Sequence, residues 1–114
     1  MKRLFTMISI LAMALASTAV MAAGNAAAGK EKSKTCAACH GATGESTNAQ
    51  FPKLAGQYED YVVRALTEYK SGARKNPIMK GFAGSLSEQD MEDLGAYFAS
   101  QKPGVIAPRL SDLM

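Results

Sequence analysis

Both cysteines and the only histidine of this 114-residue chain stand in one pentapeptide, Cys36-Ala37-Ala38-Cys39-His40. Thiolates and imidazoles bind transition metals, and thiolates are also nucleophiles and redox groups. A structural zinc ion wants four ligands; this run offers three, so carboxylates would have to complete the set. Iron–sulfur clusters usually need four thiolates, and the chain has two. A thioredoxin-like redox pair belongs in a strand–helix context, and no strand-like alternation of useful length is present. A disulfide across two intervening residues would close a tiny loop and stabilise little.

The same run is the attachment pattern of a c-type haem, and this reading gives the spacing a physical cause. Cysteines at i and i+3 lie one helical turn apart on one face. Each thiol can add to one of the two vinyl groups on one edge of the porphyrin. His40, the next residue, then projects its imidazole at the iron. Such an iron has a second axial position, which no other histidine of this chain can fill. Met91 falls on the apolar face of an expected helix, and Met114 stands in an expected loose tail. Met79 lies in the segment "NPIMKGFAG", read as a loop, from which it could reach the iron from the face opposite His40. A thioether ligand favours reduced iron and raises the potential. The alternative is that Met79 fills a gap in the core.

Three helices are expected to position these groups. The first runs from about Asn25, a plausible N-cap, to Cys39, with a small face of Ala26, Gly29, Ser33 and Cys36. In the second, Tyr58, Tyr61, Val62, Ala65, Leu66 and Tyr69 repeat at amphipathic spacing, and Ser71-Gly72 ends it. The third begins at Ser87, with Asp90 near the capping-box position and Leu86 and Met91 placed as a hydrophobic staple. Its apolar face is Met91, Leu94, Tyr97 and Phe98, and Gly95 permits close approach of another backbone. Segments 41–56 and 73–85 are rich in Gly, Pro, Ser and Asn and read as loops. Two such loops in a small chain need something to pack on, which a haem would supply.

The amino-terminal residues are of a different composition. Lys2 and Arg3 precede an apolar run to about Ala16, and Val20-Met21-Ala22 fits a small-residue cleavage pattern before Ala23. Residues 1–22 therefore read as a secretory signal peptide, the rival being a retained anchor. Removing them leaves 92 residues and reduces 13 basic against 10 acidic residues to 11 against 10. That is one small domain, residues 23–102, with a tail from 103 to 114. The near balance of charge gives no ground for nucleic acid binding. An exported chain places the protein in the periplasm with no stable membrane anchor.

The segments "CAACHG", "FPKLAGQYEDYVVRAL" and "MKGFAGSLSEQDMEDLGAYFASQ", in this order, resemble a class I cytochrome c, nearest the small bacterial c4, c5 and c553 group. The likeness covers roughly Gly24 to Gln101. It implies an all-α class I cytochrome c fold of three to five helices, with long loops wrapped around one covalently attached haem c. By this resemblance Cys36 and Cys39 carry the haem, His40 is the proximal ligand and Met79 the distal one. Pro52 matches the proline whose carbonyl accepts a hydrogen bond from the proximal histidine, and Leu54 would pack on the haem. Gly29 and Tyr97 match the small-against-aromatic crossing of the first and last helices. One departure is the polar "GKEKSKTC", in which Ser33 replaces a usually apolar residue and implies weaker docking of the first helix. Lys30, Lys32 and Lys34 there read as a solvated face or as steering charges for an acidic partner.

The expected function is a soluble periplasmic carrier of single electrons between redox complexes, cycling Fe(II) and Fe(III), with no substrate and no enzymatic activity. The alternatives are the haem subunit of a larger periplasmic oxidoreductase, and a sensor or catalytic haem with a displaceable sixth ligand. Donor and acceptor proteins are the expected partners, and the chain is expected to be a monomer or weak dimer.

Overall fold

Asn25 opens the first helix as its spacing predicts, its side chain accepting the N–H of Ala28 at 3.0 Å. The computed structural model describes residues 23–104. The signal peptide expected at 1–22 and the tail beyond 104 lie outside the described residues. Within them the order is α1 (Ala26–Lys32), a 3-10 turn (Ser33–Thr35), α2 (Ala37–His40), α3 (Glu59–Ser71), α4 (Pro77–Gly84) and α5 (Glu88–Ser100). No strand is formed among the described residues, and none of their helices is long and apolar enough to cross a membrane. The expected all-α architecture is what the chain adopts.

Two expectations about elements are corrected. The first helix does not run unbroken to Cys39. It tightens into a 3-10 turn at Ser33, Lys34 and Thr35, and restarts as the single turn α2. Segment 73–85 is not a loop throughout, because Pro77–Gly84 is α4. Asn76 caps it, accepting from the N–H groups of Ile78 and Met79, both at 3.0 Å. Pro77 takes the first helical position, where its missing N–H costs nothing. The glycines of "MKGFAG" suggested a loop, but these start signals outweigh them.

Helices α1, α3 and α4 pack around α5 or its neighbour, α1 and α3 directly on α5 and α4 on α3. Small residues set the approach. A Cβ on Gly29 would strike the Asp93 carbonyl and lie 2.8 Å from Tyr97 Cβ. A Cβ on Gly95 would lie 2.9 Å from the Glu59 carbonyl oxygen of α3. Glycine's helix penalty is the cost of bringing these backbones together. The apolar face read on α5 is buried as expected: Met91, Leu94, Tyr97 and Phe98 are all 5% exposed or less. The Ser87–Asp90 capping box is formed in both directions, and Leu86 packs against the Leu94–Tyr97–Phe98 cluster.

The polar stretch before the cysteines enters this packing rather than facing solvent as a whole. Ser33 is buried and donates its hydroxyl to the Lys30 carbonyl at 2.8 Å. Lys32 reaches α5, with Nζ 2.7 Å from Asp90 and 2.6 Å from Asp93. Asp93, almost wholly buried, also accepts from the Asn25 N–H at 2.8 Å and from Gln89 at 3.0 Å. The Lys32 ammonium and, for Asp90, the N–H and hydroxyl of Ser87 hold both carboxyls low, Asp90 at about 2. Lys34, in the 3-10 turn, pairs with Glu31 of α1. Of the three lysines read as one solvated face, two therefore have partners within the chain.

Candidate functional site

Cys36, Cys39 and His40 are brought to one wall of a cavity by a single turn of helix. The Cys36 carbonyl accepts the N–H groups of both Cys39, at 3.3 Å, and His40, at 2.9 Å. Both cysteines are half-buried thiols, and burial pushes the Cys36 thiol up from its ordinary pKa. The cavity measures about 390 Å³. Leu54, Val62, Leu66, Ile78, Met79 and Phe82 give it mainly apolar walls, with Leu94 and Phe98 of α5 behind.

His40 is buried, and its Nδ1 donates to the Pro52 carbonyl oxygen at 2.8 Å. That bond fixes the neutral tautomer: Nδ1 carries the proton and Nε2 keeps the lone pair. Phe51 stands edge-on to the ring, 6.3 Å between centroids. The loop supplying Pro52 is fastened to α5 near both ends. Tyr97 donates its hydroxyl to the Ala42 carbonyl at 2.7 Å, and the Gly56 N–H donates to the Phe98 carbonyl at 2.9 Å. Within the loop, the Gly44 carbonyl accepts from Leu54 and Ala55. Glu45 binds Lys53 at 2.8 Å and the Gly104 N–H at 2.7 Å, so the start of the tail is tied down here.

The other walls come from α3 and α4. Tyr61, Val62, Ala65, Leu66 and Tyr69 of α3 line the cavity, which is why most of this apolar face is only half-buried. Tyr58 is not part of it; it precedes the helix and is 78% exposed. Met79 is half-buried on the cavity wall, projecting from the first turn of α4 rather than from a loop. The six residues singled out from the sequence, Cys36, Cys39, His40, Pro52, Leu54 and Met79, all border this one cavity. Sequence reasoning missed Ile78 and Phe82, 61% and 48% exposed, which flank Met79. Helical spacing would have placed Phe82 beside Met79 and Ile78, had the Asn76-Pro77 start been read.

These residues fit a haem: two thiols one turn apart, an oriented imidazole and an apolar cavity between separate helices. Residues 26–102 match the family described as "Cytochrome c". Cytochrome c4 of Pseudomonas aeruginosa is 51% identical over 84 residues, which cover 74% of this chain and 42% of that protein. The solved structure of reduced recombinant cytochrome c4 from Pseudomonas stutzeri has a TM-score of 0.69 at 46% identity, covering 73% of this chain and 48% of that one. The match to cytochrome c-554(548) of Halomonas halodenitrificans, 40% identical over 83 residues, covers 70% of this chain and all of that protein. The chain belongs to the cytochrome c family, in its class I form, and is of the c4 group. It spans about half the length of the cytochromes c4 it resembles. Its cofactor is one covalently bound haem c.

Proposed function

We propose that the protein is a periplasmic carrier of single electrons in which Cys36 and Cys39 would hold the haem and His40 and Met79 would ligate its iron. When bound, the haem supplies one-electron cycling between Fe(II) and Fe(III). The observation that carries the reading is the His40–Pro52 hydrogen bond together with Met79 on the wall of the same cavity. The bond leaves Nε2 as the only ring nitrogen able to ligate, orients it and increases its basicity. Met79 offers a soft sulfur from a different element, held by the Asn76 cap. With both ligands in place no coordination site remains for a substrate, so these residues serve electron transfer and not bond chemistry. Leu54, on the cavity wall, would pack against the group. The partners are donor and acceptor proteins, and the leader read at residues 1–22 directs the chain to the periplasm.

Replacing the distal ligand tests the assignment. Met79→Ala retains the haem through both thioethers, gains an open iron site and has a lower midpoint potential. A variant that stays six-coordinate at an unchanged potential would remove Met79 from the role.

A further inference from the structure

We infer that Phe51 is a positioning residue for the proximal imidazole: with the Pro52 carbonyl, it fixes the plane in which the His40 ring meets the iron. The inference deepens the ligand reading above and rests on it. The His40–Pro52 bond holds one ring atom. A carbonyl oxygen accepts over a broad range of directions, so that bond alone leaves the imidazole some rotation about its Cβ–Cγ bond. A second contact on the ring narrows that range.

Phe51 supplies this contact. Its ring centroid lies 6.3 Å from that of His40, and the two planes are inclined at 63°. Aromatic pairs prefer such edge-to-face arrangements over a stacked sandwich. Among the described residues no other aromatic ring is paired with His40. Phe51 is itself held. The proline after it disfavours helical backbone at its position, and its N–H donates to the Asn48 carbonyl at 3.0 Å. Asn48 is fixed by the buried Ser46, whose hydroxyl donates to the Asn48 carbonyl at 3.0 Å and accepts the Asn48 N–H at 3.2 Å. The same hydroxyl lies 3.4 Å from the Cys39 carbonyl oxygen. The turn that presents Phe51 is therefore joined to the helical turn that presents His40. Consecutive residues of one loop contact the imidazole in two ways, Pro52 by its carbonyl and Phe51 by its ring.

Groups that orient a metal-bound imidazole tune the metal as well as the ligand. The plane matters because an imidazole donates π density along one direction only. In low-spin Fe(III) that direction decides which of two nearly equal d orbitals carries the unpaired electron, and so how spin density is shared among the pyrrole rings. Phe51 acts on the oxidised state through His40.

The test is the proton NMR spectrum of the oxidised holoprotein, in which the unpaired spin spreads the porphyrin methyl resonances. Wild type is compared with Phe51→Leu and Phe51→Tyr. Leucine keeps an apolar filler on the cavity wall and removes the flat ring; tyrosine keeps the ring. Phe51→Leu is expected to change the spread of the methyl resonances, and Phe51→Tyr to retain the wild-type pattern. The His40 Nδ1–H resonance is expected to persist in both, because the Pro52 carbonyl is unchanged. A Phe51→Leu pattern that superimposes on wild type overturns the inference. So does an equal displacement in both variants, which makes Phe51 a filler and not an orienting edge. Loss of the Nδ1–H resonance in Phe51→Leu overturns it by assigning the effect to the hydrogen bond. Failure of Phe51→Leu to load haem overturns it too, because Phe51 is then needed for assembly. A wild-type protein that is not low-spin refutes the ligand reading itself, so the two kinds of failure are distinguishable.

Discussion

His40 Nδ1 and the carbonyl oxygen of Pro52 are 2.8 Å apart, joining the helical turn of the cysteines to the loop that follows it. The bond makes the imidazole a stronger donor, and a stronger donor favours Fe(III). Pro52→Gly keeps the carbonyl but frees the backbone that aims it. A redox titration is expected to give a higher midpoint potential for this variant. Complete loss of the imidazole is more severe: His40→Ala is expected to yield little or no stable holoprotein, judged by haem absorbance per polypeptide.

Asn76 holds Met79 indirectly, by capping the helix that presents it. Asn76→Ala is expected to cost about 0.5–2 kcal/mol of stability, measured by denaturant unfolding. It is also expected to make the sixth ligand easier to displace, seen as faster binding of added imidazole to the oxidised protein. An uncapped variant with wild-type imidazole kinetics would separate the cap from the ligand.

Gly29 permits α1 to lie against α5, and any added carbon meets the Asp93 carbonyl. Gly29→Ala is expected to destabilise the fold by about 1–3 kcal/mol through overpacking. Chemical denaturation of the holoprotein measures this directly.

The ion pairs of Lys32 give the α1–α5 contact an acid limit. Asp90 has its pKa lowered from 3.8 to about 2, first by Lys32 and then by the N–H and hydroxyl of Ser87. Asp93 is lowered by Lys32 and the Asn25 N–H. A carboxyl whose folded pKa is depressed contributes stability above its unfolded value and loses it as pH falls through the folded value. The contribution is therefore complete above pH 4 or so and lost towards about 2. Lys32→Met is expected to flatten the fall in melting temperature over that window. Asp93→Ala removes the acceptor of the Asn25 N–H and a partner of Lys32 and is expected to cost about 1–3 kcal/mol at neutral pH.

Much of this architecture was legible because local signals and global packing agree. Asn25, Ser87 with Asp90, and Gly72 mark helix ends by their own hydrogen-bonding or backbone preferences, and the structure uses each of them. The spacing of Cys36, Cys39 and His40 is itself a geometric statement. The errors arose where signals conflict. Glycines in 77–84 pulled the reading towards a loop, although Asn76 and Pro77 together specify a helix start. Tyr58 matched the period of α3 but lies outside the helix. The Lys32–Asp90–Asp93 cluster was not legible. It depends on which helix faces cross in space, and a charge pattern on one helix does not name its partner on another.

The most direct test of the central claim is an absorption spectrum of the holoprotein, oxidised and reduced, with carbon monoxide then added to the reduced sample. A low-spin reduced spectrum unchanged by carbon monoxide is the result predicted by the proposed ligation through His40 and Met79. A high-spin spectrum, or prompt carbon monoxide binding, would contradict the carrier reading and point to a sensor or catalytic haem.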